Sequence, residues 1–299
     1  MKIVFFATPD FAVPILDKLL KSNHQIAAVV TNTDKEQGRG KKIVFSPIKE
    51  YAVKNNIPIL QPEKFKDPVF INQLTEINAD LFIVVAFKIL PKEVFLLPKF
   101  GSFNLHGSIL PKYRGAAPIQ WSLINGDTET GLTTFFLKET VDTGNVILQE
   151  RTEIKPEDNF GSLHDRLSLL GADLVLRTVE LIEAGNVKTY EQDNSITSPA
   201  PKITKDICRI DWNKPAKFIH NLIRGLSPSL GAFFERENKI YKVFKSALCE
   251  DTNLSPNEVF TTKKEIFIGC KNSTLQILEI QLEGKKKMTA EEFLRGNKI

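Results

Sequence analysis

Over roughly its first 200 residues the chain alternates short apolar runs with amphipathic segments. The apolar runs, which are rich in β-branched residues, cover residues 2–7, 25–31, 57–60 and 79–87. Between them, residues 9–20 and 46–54 have the apolar spacing of helices. Strands that alternate with helices are typical of a parallel α/β sheet, whose ligands bind beyond the carboxyl ends of the strands. The pattern therefore predicts a Rossmann-like, mostly parallel sheet.

Two more strands and a long helix complete this part of the chain. The predicted strands, 130–137 and 145–154, bracket the loop KETVDTG. Residues 161–184 follow as a helix that has a row of leucines on one face and ends before Gly185. His164 lies in the first turn of this helix, away from the leucine row, and we expect it to have a structural role.

A polar segment that contains two prolines, residues 191–205, predicts a linker. It divides the chain into an α/β domain over residues 1–190 and a C-terminal domain over residues 206–299.

The C-terminal domain has the pattern of a small, barrel-like β domain. Its predicted elements are a helix over 215–226, hairpins over 231–246 and 264–283, and a closing helix over 288–296. The first hairpin would turn near Glu237 and the second near Asn272. Thr289 and Glu292 have the spacing of a capping box at the start of the closing helix.

The composition is that of an ordinary globular protein. Of the 299 residues, 42% are hydrophobic and 25% are charged, which argues against the disordered and membrane-spanning classes. Thr8, Pro9 and Asp10 interrupt the N-terminal apolar run where a signal peptide would continue, and no run approaches the length of a membrane span. We therefore expect a cytoplasmic protein that has no transit peptide.

The cysteines and the net charge exclude few classes of function. Cys208, Cys249 and Cys270 lie far apart and lack CxxC spacing, so neither disulfides nor a zinc site is predicted. The net charge of +4 arises entirely from residue 206 onwards, where 16 Lys and Arg accompany 12 Asp and Glu. This excess fits an anionic partner, but a solvated surface explains it equally well.

The most informative chemistry lies at the end of a strand that precedes the sequence GSILP. Asn104 and His106 are two residues apart, so on an extended backbone both side chains point to the same face. An amide and an imidazole on one face can stabilise a developing oxyanion and move a proton. Asp142, in the loop after the next strand, could charge the imidazole or accept a proton, although an Asx turn would also explain it.

Such a site has no serine or cysteine nucleophile, so the attacking group must come from the substrate. The chain also lacks the GxGxxG, GxxxxGK[ST], GxSxG and HExxH motifs. Hydride transfer, nucleotide hydrolysis and metal-assisted hydrolysis are therefore disfavoured.

Five motifs in order along the chain carry a resemblance to a known family. They are TPDFA at 8–12, GRGKK at 38–42, NLHGSILPKYRGAAPIQW at 104–121, VDTG at 141–144 and RIDW at 209–212. The set resembles the methionyl-tRNA formyltransferases, a family of the 10-formyltetrahydrofolate-dependent formyltransferase superfamily. The shorter set of NLHGSILP with a later Asp-x-Gly marks only the wider superfamily.

The resemblance implies formyl transfer from 10-formyltetrahydrofolate to the α-amino group of methionyl initiator tRNA, which gives formylmethionyl-tRNA for translation initiation. It implies that Asn104 and His106 stabilise the oxyanion and that Asp142 orients and charges His106 and helps to move protons. No metal is expected. The expected partners are the initiator methionyl-tRNA and the folate co-substrate. We expect a monomer that does not bind membranes.

The resemblance also assigns binding residues. The folate-binding residues are Ser108, Ile109, Leu110, Pro111, Phe87 and Ile89. Phe11 would line the pocket for the methionine side chain. The tRNA-binding residues are Arg39, Lys41 and Lys42, and the C-terminal domain becomes an OB-like barrel that binds tRNA.

Two residues depart from the family pattern, in which glycine is common at both positions. They are Lys88, beside the folate loop, and Thr140, beside the catalytic loop. The departures therefore concern the backbone of these two loops and not the catalytic residues themselves.

Two alternatives remain open. The first is a formyltransferase of the same superfamily that acts on glycinamide ribonucleotide or on an amino-sugar nucleotide; the additional domain argues against the former. The second is an RNA-binding module that has lost catalysis, against which the complete set of Asn104, His106 and Asp142 argues.

The Arg39→Ala substitution tests the assignment of the basic loop. We expect weaker use of methionyl-tRNA with little change in folate affinity, because a cation that contacts phosphate contributes to nucleic-acid affinity. Steady-state formylation at several salt concentrations measures this. An unchanged dependence on the tRNA concentration would mean that Arg39 is an ordinary surface residue with no role in tRNA binding.

Overall fold

The computed structural model describes residues 1–37, 42–249 and 254–299, and only the backbone of 35–37 and 42–43. The strands are β1 Lys2–Ala7, β2 Gln25–Val30, β3 Lys35–Gln37, β4 Lys42–Val44, β5 Ile59–Leu60, β6 Leu81–Val85, β7 Ser102–His106, β8 Arg114–Gly115, β9 Glu129–Phe136, β10 Val146–Glu153, β11 Pro199–Ala200, β12 Ala232–Arg236, β13 Lys239–Cys249, β14 Val259–Thr261, β15 Ile266–Gly269, β16 Thr274–Leu282 and β17 Met288–Thr289. The α-helices are α1 Val13–Leu20, α2 Pro47–Lys54, α3 Pro68–Ile77, α4 Lys92–Phe95, α5 Pro118–Ile124, α6 Phe160–Glu183, α7 Ala216–Leu226 and α8 Ala290–Leu294.

Contacts between residues group the chain into two compact units. The first unit contains residues 1–115, 131–152 and 164–199, and the second contains 116–130, 153–163 and 200–299. The division into domains 1–190 and 206–299 with a linker stays a prediction.

The first unit is built on a seven-stranded sheet with the order β10-β9-β7-β6-β1-β2-β5. The five strands from β7 to β5 pair in parallel, and β9 pairs antiparallel to β7. All five residues of β6 are buried, as expected of a central parallel strand that is covered on both faces. The parallel order brings the carboxyl ends of β1, β6 and β7 to one edge of the sheet, beside one another.

Local sequence explains where the helices of this unit begin. Ser46 accepts a hydrogen bond from the Lys49 amide at the start of α2, and Asp67 accepts one from the Val69 amide at the start of α3. Both helices have proline in their first turn, where its missing amide hydrogen costs no hydrogen bond. Helices α3, α4 and α5 were not predicted from the sequence.

The second unit contains an antiparallel sheet with the order β12-β13-β16-β15-β14, to which β17 adds beside β16. The first hairpin turns at Glu237 and Asn238, which have φ angles of 50° and 59°. Thr289 and Glu292 form the predicted capping box. The core between this sheet and helices α7 and α8 includes the fully buried Ile219, Ile277 and Phe293.

The predicted fold class is confirmed: a mostly parallel, Rossmann-like sheet precedes an antiparallel β domain that is consistent with a small barrel. Within the described residues, no helix combines the length and hydrophobicity needed to cross a membrane.

Phe293→Ala tests whether the short closing helix belongs to the core. Because the Phe293 ring is fully buried and lies 6.2 Å from the Tyr241 ring, we expect the free energy of unfolding to fall by about 3 to 5 kcal/mol. Urea denaturation measures the change. The matched control is Phe260→Ala, half exposed on β14, which should cost less than about 1 kcal/mol; equal costs would contradict the prediction.

Candidate active site

Asn104 and His106 lie on β7 and share one face of the strand, as predicted. The His106 side chain is buried, and its Nε2 lies 2.8 Å from the carbonyl oxygen of Tyr113. A carbonyl only accepts hydrogen bonds, so Nε2 carries the hydrogen. The other ring nitrogen, Nδ1, lies 3.8 Å from Oδ2 of Asp142.

The Asp142 carboxylate is held by a distant part of the chain. Its Oδ2 accepts a hydrogen bond of 2.8 Å from the Gly115 amide. An Asx turn would direct this carboxylate to an amide of its own loop, so the bond to Gly115 disfavours that alternative. The backbone of Asp142 has a φ of 54°, a left-handed conformation that aspartate tolerates better than most residues.

The loop that carries Asp142 begins beside the start of β7 and returns to its end. The Leu137 amide donates to the Ser102 carbonyl at 2.8 Å, whereas Asp142 reaches His106, the last residue of the strand. Gly144 allows this return, because a Cβ there would clash with the Phe136 carbonyl oxygen. The Phe136 amide closes the loop by donating to the Asn145 carbonyl at 3.0 Å.

The Asn104 side chain is half-buried and makes no hydrogen bond to any residue that the structure describes. Its amide group is therefore available to a ligand on the face of β7 that also presents His106. A half-buried amide without a protein partner can hydrogen-bond to water or to a ligand.

Gln192, which the sequence patterns did not single out, contacts the Asp142 loop and is itself bound by Arg114. Nε2 of Gln192 donates to the carbonyl oxygens of Asp142 and Gly144, both at 2.9 Å. Oε1 of Gln192 accepts from Nε and Nη2 of Arg114, at 3.0 and 2.6 Å. Gln192 lies in the predicted linker, whose polar composition gave no signal of this contact.

The segment SILP is fixed by hydrogen bonds within its own turn and to strands β9 and β10. The Ser108 hydroxyl is buried and donates to the Lys112 carbonyl at 2.6 Å. The Leu110 amide donates to the Thr133 hydroxyl at 3.0 Å, and Gln149 donates to the Leu110 carbonyl at 2.8 Å. Ile109 and Pro111 are only partly buried, so they are the members of this segment with surface available to a ligand.

The loop after β6 offers apolar surface. Ile89 is 69% exposed, and the half-buried Phe87 packs against Phe6 and Phe65 with ring centroids 5.8 and 5.6 Å apart. Neither Lys88 in this loop nor Thr140 in the Asp142 loop has a positive φ angle. The two departures from the family pattern therefore do not conflict with the backbone conformation.

Phe11 is buried beside the start of α1. Its ring lies 5.2 Å from that of His164 in an edge-to-face arrangement, and its carbonyl accepts from the Ser168 hydroxyl at 2.7 Å. The structural role predicted for His164 agrees with this packing.

The side chains of the basic loop, Arg39, Lys41 and Lys42, are not among those that the structure describes. Arg39 and Lys41 lie outside the described residues, and only the backbone of Lys42 is described, in β4. Among the residues that are described, no group of three or more His, Cys, Asp or Glu side chains could hold a metal ion.

Comparisons with known proteins cover both units. Residues 1–179 match the model of the formyl transferase family, and residues 202–298 match that of the formyl transferase C-terminal domain. The chain is 46% identical over 302 residues to a methionyl-tRNA formyltransferase of Flavobacterium johnsoniae, a match that covers 99% of this chain and 96% of the relative. It is 47% identical over 307 residues to a methionyl-tRNA formyltransferase of Bacteroides fragilis, covering 99% and 95%.

A solved structure has a similar fold over the whole length. The sugar 3N-formyltransferase WlaRD, determined in the presence of dTDP and 5-N-formyl-THF, superposes with a TM-score of 0.70 at 25% identity. The match covers 96% of this chain and 99% of that one.

Gly144→Ala tests the close approach of the loop to β9. We expect the free energy of unfolding to fall by about 1 to 3 kcal/mol, because the added methyl group must push the loop off the Phe136 carbonyl. Urea denaturation checks this against Gly296→Ala, where a Cβ would meet nothing within 4 Å. If both variants unfold alike, the loop does not need glycine at position 144.

Proposed function

The chain belongs to the formyl transferase family, and on that premise we propose that it transfers the formyl group of 10-formyltetrahydrofolate to the α-amino group of methionyl initiator tRNA. The observation that carries the proposal is identity of 46 to 47% to methionyl-tRNA formyltransferases over 99% of the chain. The product, N-formylmethionyl-tRNA, serves translation initiation.

The residues at the end of β7 fit a folate co-substrate. The Asn104 amide lacks a described partner, and the exposed Ile89 and half-buried Phe87 provide apolar surface for a flat ring. The co-substrate supplies an activated formyl carbon, which the amino group of the tRNA attacks. Ile109 and Pro111 complete the proposed folate contacts, with Ser108 and Leu110 holding the segment in place.

The catalytic roles follow from the hydrogen-bond donors on β7. Asn104 donates to the formyl oxygen and stabilises the negative charge that develops there. His106 uses Nδ1, because Nε2 is occupied by the Tyr113 carbonyl. Asp142 stabilises a positive charge on the ring while Nδ1 holds a proton, and it orients the imidazole for proton transfer from the amine towards the departing nitrogen.

The remaining assignments concern the acceptor. We propose that residues 1–190 carry the chemistry, that residues 206–299 bind tRNA, and that Phe11 lines the pocket for the methionine side chain. Arg39, Lys41 and Lys42 contact the phosphate backbone of the acceptor end. The protein acts as a monomer in the cytoplasm.

The direct test is a time course with purified protein, 10-formyltetrahydrofolate and methionyl initiator tRNA. We expect formylation of the charged tRNA but not of uncharged tRNA or of an amino-sugar nucleotide. Transfer to the sugar alone would keep the chemistry of β7 and overturn the proposed acceptor. Binding of tRNA without consumption of the formyl donor would identify a binding module instead.

His106→Ala tests the proton-transfer role. We expect kcat to fall by about 100-fold or more, because general acid–base groups contribute about that much, while the Kd for the folate changes little. His24→Ala is the matched control, because His24 Nδ1 lies 3.2 Å from the N-terminal amine, at the amino end of β1 and away from the carboxyl end of β7. Normal turnover by His106→Ala would remove the mechanism.

A further inference from the structure

We infer that Gln192 is a positioning residue, which acts with Arg114 to hold the Asp142 carboxylate against His106 during formyl transfer. The inference rests on the proposed function and adds to it a residue from the segment that the sequence pattern assigns to a linker.

Burial distinguishes Gln192 from its neighbours. It is 9% exposed, whereas every other residue from 191 to 197 is exposed. A buried glutamine amide costs free energy unless its donors and acceptor are paired. The polar group at this position therefore has a specific set of partners, and all of them belong to the active-site loops.

The two donors of Gln192 bind the backbone on both sides of Thr143. One amide nitrogen donates to the carbonyl oxygens of Asp142 and Gly144 at 2.9 Å each, which uses both of its hydrogens. These bonds fix the peptide that carries the Asp142 side chain. Because the loop has to return the length of β7 to reach His106, such an anchor sets where the carboxylate lies.

Arg114 fixes the orientation of the Gln192 amide. Its guanidinium donates twice to Oε1, which leaves the amide nitrogen pointing at the two carbonyls. The Arg114 backbone is itself held, since its amide donates to the Ser198 carbonyl at 2.9 Å. Two donors of a planar guanidinium that converge on one oxygen restrict its position more than a single hydrogen bond does.

Three consecutive residues, Tyr113 to Gly115, thus contact His106, Gln192 and Asp142 in turn. The Tyr113 carbonyl accepts from His106, the Arg114 side chain holds Gln192, and the Gly115 amide donates to Asp142. The hydrogen bond from Gln192 to the Asp142 carbonyl connects Arg114 to the same loop that Gly115 holds. Without that contact, the Gly115 amide is the one remaining hydrogen-bond donor among the described residues that holds the carboxylate, which then moves more widely relative to Nδ1 of His106.

The test uses Gln192→Glu and Gln192→Met in the full chain. The glutamate variant keeps an acceptor for Arg114 but cannot donate to the two carbonyls, and the methionine variant has similar length without hydrogen bonds or charge. We expect both to lower kcat by roughly 10- to 100-fold with nearly unchanged KM for tRNA and folate, because a small misplacement of a catalytic group lowers the rate strongly.

The matched control is Asn194→Ala. Asn194 accepts a hydrogen bond of 3.0 Å from the same Arg114 guanidinium but, within the part of the chain that the structure describes, makes no hydrogen bond to the Asp142 loop. We expect its kcat and thermal midpoint to match the wild type. A loss in this variant equal to that of Gln192→Glu would overturn the inference, because any disturbance of Arg114 would then suffice.

Coupling to Asp142 separates positioning from general stability. In an Asp142→Asn background, measured under single-turnover conditions, Gln192→Glu should cost little further rate, since the group that it positions is already changed. Two fully additive losses would show that Gln192 acts elsewhere.

Hydrogen exchange of the Gly115 amide gives a readout that does not need activity. In wild type this amide is protected by the Asp142 carboxylate, and Gln192→Glu and Gln192→Met should expose it to faster exchange while Asn194→Ala leaves it unchanged. If the Gln192 variants show unchanged exchange of this amide and a wild-type kcat, the inference about Gln192 is overturned but the proposed function is not. Absence of formylation by the wild type would instead overturn the proposed function.

Discussion

The geometry of the site depends on the hydrogen bond between the Gly115 amide and the Asp142 carboxylate. It joins a segment that follows β7 to a loop that follows β9, and neither strand alone could bring His106 and Asp142 together. Tyr113, two residues before Gly115, has a φ of 62° and directs its carbonyl at His106. A bulky residue in the left-handed region costs about 1 to 3 kcal/mol, so the surrounding contacts must hold this conformation in place.

Periodicity was sufficient to predict strands of the sheet and to pair two of the three candidate catalytic residues. Side chains two residues apart on a strand share a face, which is a property of the extended backbone and needs no knowledge of the fold. Asn104 and His106 could therefore be paired from the sequence, and the capping box at Thr289 followed equally from local spacing. The short helices α4 and α5 were missed because segments of this length are stabilised mainly by tertiary packing.

Long-range contacts account for what the sequence patterns could not show. The position of Asp142 follows from bonds to Gly115 and Gln192, which lie 27 and 50 residues away along the chain. Nothing in the polar composition around Gln192 distinguishes it from its exposed neighbours. Its burial arises from the place where the chain passes the catalytic loop, a property of the folded structure rather than of the local segment.

In the proposed mechanism, the residues that accelerate formyl transfer differ from the residues that select the acceptor. In that mechanism the attacking amine arrives with its own carrier, and Asn104, His106 and Asp142 would serve any amine that reaches the formyl carbon. Selection must then come from residues that contact the carrier away from the reacting atoms. The excess of positive charge after residue 205 suits a polyanionic carrier. The same catalytic residues can thus be kept while the acceptor changes through the surfaces around them.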